Sequence, residues 1–70
     1  MPDIAVIITN LDSAKAGLNA ARNAAEAWKA GAVAGVAHSA AQTNALSVAI
    51  TAGINTAKTG ISAAETELAS

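Results

Sequence analysis

Histidine, carboxylate and hydroxyl side chains are the groups in this chain that could move a proton or hold a metal, and they are thinly spread. His38 is the only histidine. Ala34 lies four residues before it, a spacing that leaves room for a haem or chlorophyll ring beside an imidazole ligand. Two axial bonds would need the histidine of a second copy. The same residue equally suits a turn or helix start, where it would be hydrogen-bonded or wet. Glu65 and Glu67 are two residues apart, which turns them to different sides of a helix, so they make no acid/base pair. Serine, threonine and asparagine are plentiful, but no His or Asp stands at a spacing that suggests a triad. There is no cysteine, which removes disulfides, thiol chemistry and cysteine metal sites. Phosphate-loop, HExxH and EF-hand patterns do not occur. The expectation is a protein that is not an enzyme, with no cofactor, no bound metal and no small-molecule substrate.

The 70 residues carry 4 basic and 5 acidic side chains, for a net charge of −1. A nucleic-acid binder needs a basic stripe to displace counterions, so that class is excluded too. The apolar fraction is 53%, and 21 of those residues are alanine. The larger apolar side chains are six Ile, four Val, four Leu, Met1 and the sole aromatic, Trp28. Such a chain makes one small domain with a thin core.

The opening Met1-Pro2-Asp3-Ile4 has no basic residue before its apolar stretch, so no cleavable signal peptide is expected. A cytoplasmic protein, or one exported by a leaderless route, fits that reading. The uncharged run from Ala30 to Ala57 is long enough to span a bilayer. His38, Gln42, Asn44 and Asn55 lie within it among several serines and threonines. Each would need a partner in hydrocarbon, which argues against a membrane helix.

The elements are written in the apolar period. Ile4, Ile7, Leu11, Ala14, Leu18, Ala21, Ala25 and Trp28 alternate at three- and four-residue steps, the packing seam of one long helix. Asp12, Lys15, Asn19, Arg22, Glu26 and Lys29 form a polar stripe beside it, which predicts a water-facing side. A second seam runs through Ile50, Ile54, Ala57, Ile61, Ala64 and Leu68. The two seams are out of step by one residue, about 100° of helical rotation, so the chain must reorient between Gly31 and Ser39. Gly31 and Gly35 weaken the helix there, and Ser39-Ala40-Ala41-Gln42 has the capping-box pattern of a new start.

The prediction is an all-α fold, one unit over residues 1–70. Helix 1 covers about 3–32, the turn about 33–38 and helix 2 about 39–68, forming an antiparallel hairpin. Pro2 is expected in the first helical turn, with Asp3 at the positive end of the helix dipole. The β-branched run Ile4–Thr9 also fits a strand, though a strand with no pairing partner. A single bent helix through Gly31–Gly35 is the other alternative.

Gly17, Ala24 and Gly31 recur every seven residues off the main seam, as do Gly53 and Gly60. Glycine within a helix costs about 1 kcal/mol against alanine, so glycines sharing a face predict a second, close-contact interface with another helix. A hairpin buries one stripe per helix, and Val6, Ile8, Val33, Leu46 and Val48 fall off the seams and are expected to be exposed. Trp28 is expected to plug the core near the turn. The consequence is self-association into a homo-oligomeric bundle or helical filament.

In composition the chain resembles small, leaderless, cysteine-free helical subunits: type III secretion pilins, secreted WXG-type hairpins and the R-body (killing-trait) proteins. The resemblance to the last lies in a low-aromatic Ala/Ser/Thr/Asn/Gln composition. The WXG pattern is not met, because Trp28-Lys29-Ala30-Gly31 is one residue longer than Trp-x-Gly. What the resemblance implies is assembly. The expected function is therefore a structural, self-assembling helical subunit. A membrane-active or pore-forming peptide and a small helical interaction adaptor are the alternatives.

Overall fold

A computed structural model describes Met1–Ser70, and it is all-helical. Helix α1 spans Ile4–Val33 and helix α2 spans Ala40–Leu68, and the two pack against each other along their length. The hairpin is a thin rod, 54 × 17 × 9 Å by its Cα positions.

Both helix starts follow from their caps. The Asp3 carboxylate accepts from the backbone N–H of Ala5 at 3.0 Å and of Val6 at 3.4 Å, satisfying donors that the first turn leaves free. Pro2 therefore stands before the cap rather than inside the first turn, because the carboxylate of Asp3 takes the capping position. Residues Ile4–Thr9 are helical, not a strand. The Thr9 hydroxyl donates to the Ala5 carbonyl at 2.9 Å, and Thr43, Thr59 and Thr66 make the same four-residue back-bond. That bond satisfies a hydroxyl without leaving the helix. At α2 the Ser39 hydroxyl accepts from the Gln42 N–H, and the Gln42 side chain accepts from the Ser39 N–H at 2.8 Å.

The turn is a Schellman motif. The Val36 N–H donates to the Gly31 carbonyl at 3.0 Å and the Gly35 N–H to the Ala32 carbonyl at 3.1 Å, which closes the C-terminal end of α1. Gly35 adopts φ +83°, a left-handed conformation that side chains disfavour. At the open end the Asp3 N–H donates to Glu67 Oε1 at 2.9 Å, tying the start of α1 to the end of α2.

The register follows from the closest approaches. Asp3 pairs with Glu67, the Asn10 carbonyl abuts Gly60, and Gly17 abuts Gly53. Each step of seven residues along α1 is a step of seven back along α2, so one repeat runs the whole length.

The contact line departs from the expected seams. Ala14, Gly17 and Ala21 of α1 are buried against Gly53, Ala57, Gly60 and Ala64 of α2. Ile7, Ala24, Trp28, Gly31, Leu46 and Ile50 continue the line half-buried. Leu46 thus belongs to the contact, where the seam had left it outside. Ile4, Leu11, Leu18, Ile54, Ile61 and Leu68 do not close the hairpin and remain exposed, and Ala25 is half-buried. The glycines supply the reason. A line containing glycine lets the backbones approach more closely than one of Ile and Leu, so the hairpin shuts on its smaller side chains.

Candidate interaction surface

Three sets of residues could carry function: the Trp28–His38 pair, the small-residue line and the apolar flank beside it. His38 directly precedes the Ser39 cap, and the Gly35 turn folds it back onto α1. Its ring stacks on Trp28 with centroids 4.0 Å apart and planes 17° apart. Nε2 lies 2.9 Å from the Trp28 carbonyl oxygen. A carbonyl only accepts, so Nε2 carries the proton and Nδ1 is left as an acceptor. Nδ1 of His38 and Nε1–H of Trp28 are both enclosed without a partner. The pair sits in a shallow groove with Ala24, Ala27, Leu46 and Ala49. Trp28 is thus half-buried at the turn, with the imidazole as its lid.

Along the small-residue line the backbones nearly touch. A Cβ added at Gly17 would stand 2.8 Å from the Gly53 carbonyl oxygen, and one at Gly53 would stand 2.5 Å from the Gly17 carbonyl oxygen. A Cβ at Gly60 would stand 2.5 Å from the Asn10 carbonyl. The reciprocal approach suits Cα–H donors facing carbonyls across two helices. Gly17, Gly53 and Gly60, with Ala24 and Gly31 nearer the turn, therefore lie inside the hairpin. The second interface expected of these five is the contact between the two halves of one chain.

The flanks differ. Val6 and Asn10 line one shallow groove with Thr59, Ala63 and Thr66, and Ser13 lines another with Thr56 and Ala63. These residues share one broad face, rich in hydroxyls and amides. The other flank of each helix consequently shares the opposite face. Ile4, Leu11 and Leu18 of α1 each lie one helical turn from the contact line. Ile54, Ile61 and Leu68 of α2 stand in the same relation to Ile50, Ala57 and Ala64. The seven-residue register sets Ile4 opposite Leu68, Leu11 opposite Ile61 and Leu18 opposite Ile54. These six form a three-rung apolar ladder at the open end of the hairpin, with exposures from 41% at Ile54 to 61% at Leu68.

Charge lies outside the ladder. Lys15 and Glu65 each follow a buried alanine directly, which puts them on its outer edges, and both are exposed. Lys58 also follows one, but its side chain lines the groove with Val6, Asn10 and Thr66 on the opposite face. The stripe from Asp12 to Lys29 is wholly exposed. Arg22 and Glu26 approach to 3.9 Å within it, a solvent-facing pair that contributes tenths of a kcal/mol. Glu65 and Glu67 are separated as their spacing requires, Glu67 turning to Asp3 and Glu65 to solvent. No three His, Asp or Glu side chains gather as a metal-holding group. Neither helix is long and apolar enough to cross a membrane.

Sequence periodicity picked out the Ile/Leu positions and the glycine positions, but not which of them close the hairpin. It missed the stacking of His38 on Trp28, ten residues apart across the turn, for which the glycine-bearing turn between them was the available signal. Comparison with protein families, with curated proteins and with solved structures finds no match.

Proposed function

We propose that this chain is a structural subunit: a stiff helical hairpin that packs against copies of itself into a bundle, tube or filament, with no catalytic step. One observation carries the reading. The only buried hydrophobic residues are Ala14, Ala21, Ala57 and Ala64, while twelve large hydrophobic residues, among them Ile4, Leu11, Leu18, Ile54 and Ile61, are exposed. Alanine burial yields little free energy per contact. A single hairpin therefore has almost no core of its own, and its large side chains find an apolar environment only against another molecule.

The accessible surface supports the same reading. It is 4818 Å², against about 4,000 Å² for a compact monomer of this mass. Within the assembly the roles divide by side-chain size. Glycine and alanine hold each rod together, Ile and Leu join one rod to the next, and the Asp12–Lys29 stripe keeps one side wet.

Electron microscopy and light scattering of concentrated protein test this. The wild type is expected to form elongated particles. Leu11→Lys combined with Leu18→Lys is expected to keep its helical circular dichroism and remain small. A wild type that stays small when concentrated, or a double variant that assembles equally well, contradicts the reading.

A further inference from the structure

We propose that the ladder is a self-complementary interface, and that two copies meet on it face to face with their turns pointing in opposite directions. This rests on the self-association reading and adds the surface, the partner and the orientation. Three observations carry it.

The first is shape and area. By their fractional exposures, the six ladder side chains present on the order of 500 Å² of apolar surface, at the top of the range for the largest patch on a monomer. A stable interface takes about 800 Å² from each partner. The exposed Ile8 and the alkyl stem of Lys15 border the ladder and supply part of the remainder.

The second is symmetry. A two-fold axis through the middle rung sets Leu11 against Leu11 of the second copy and Ile61 against its own equivalent. It also sets Ile4 against the second copy's Leu18, and Ile54 against its Leu68. Every rung then meets an apolar rung, as a closed two-fold interface requires.

The third is charge, which selects the direction. With the turns opposed, α2 lies over α2 of the second copy, antiparallel about Ile61. Lys58 and Glu65 stand at nearly equal distances along α2 on either side of that point. The flexible Lys58 side chain, which lines the opposite groove in the single hairpin, swings to the rim on association and meets a Glu65 there, twice over. With the turns together, α1 lies over α2 of the second copy, and Lys15 meets Lys58 twice. Opposite charges across an interface fix its register, and like charges exclude the alternative. The product is a four-helix bundle around the open ends, with two Trp28–His38 turns projecting from opposite ends. The hydroxyl-rich faces remain outside for later contacts.

The chain has no cysteine, so single introduced thiols report on the geometry cleanly. Four full-length variants, Leu11→Cys, Ile61→Cys, Ser13→Cys and Ala63→Cys, are oxidised with glutathione disulfide at micromolar concentration. Leu11→Cys and Ile61→Cys are each expected to give disulfide-linked dimers, and Ser13→Cys and Ala63→Cys to stay single. Glu65→Lys is expected to weaken association about tenfold, and Glu65→Lys with Lys58→Glu to restore it. Dimers that form only when Leu11→Cys is mixed with Ile61→Cys overturn the opposed orientation. Cross-links at Ser13→Cys or Ala63→Cys, with none on the ladder, overturn this face while leaving self-association standing. One-chain mass and no cross-link in any variant overturn both. An association constant for Glu65→Lys within twofold of the wild type overturns the charge-selected direction.

Discussion

Gly17 and Gly31 are both helical glycines on the same line, and the structure gives them opposite sensitivities. A Cβ at Gly17 meets the Gly53 carbonyl and the Thr56 side chain at 2.8 Å, so the backbone of α2 would have to move. A Cβ at Gly31 meets the His38 ring at 3.1 Å, and a side chain at a turn can give way. Both substitutions gain about 1 kcal/mol of helix propensity. At Gly17 an overpacking cost of about 1–3 kcal/mol outweighs that gain. Gly17→Ala is thus expected to lower the thermal midpoint, and Gly31→Ala to leave it near the wild-type value, in circular dichroism melts at matched protein concentration. A midpoint raised by Gly17→Ala would contradict the close packing. The types and spacing of these glycines were legible in the sequence. Their partner was not, because periodicity gives a face without saying which molecule it touches.

At the scale of the elements, the ends of both helices could be read from Asp3, Ser39, Gln42 and the glycines of the turn. These are local signals, closed by hydrogen bonds within a few residues. The inward face was harder. In each helix the line through Ala14 and Ala21, or Ala57 and Ala64, is flanked on one side by glycine and on the other by Ile and Leu. The two flanks lie about 50° to either side of it on a helix of 3.6 residues per turn. Apolar weight favours the Ile/Leu flank, while backbone approach favours the glycine flank, and the hairpin obeys the second. Nuclear Overhauser contacts distinguish them. Strong cross-peaks are expected between the α-protons of Gly17 and Gly53, in a sample dilute enough to hold single chains. Their absence, with intramolecular Leu18–Ile54 methyl contacts in their place, would show the hairpin closed on the ladder instead.

For the whole molecule, the number that matters is how little of the larger apolar material the chain hides. Sixteen apolar residues are larger than alanine, and none has a fully buried side chain. That deficit was visible in the alanine count alone, which is why the sequence already led to an expectation of assembly. The identity of the exposed face could not, since it depends on which flank the glycines claim. On the proposed self-association, such a rod would be stabilised by mass action, and its melting midpoint is expected to rise with concentration.

Sedimentation equilibrium across a wide range of protein concentration tests the division between small residues inside and large residues outside most directly. The expected result is a weight-average mass that climbs from one chain to at least two as concentration rises, with helicity and melting midpoint climbing alongside. A one-chain mass throughout, with a cooperative and concentration-independent melt, would contradict it.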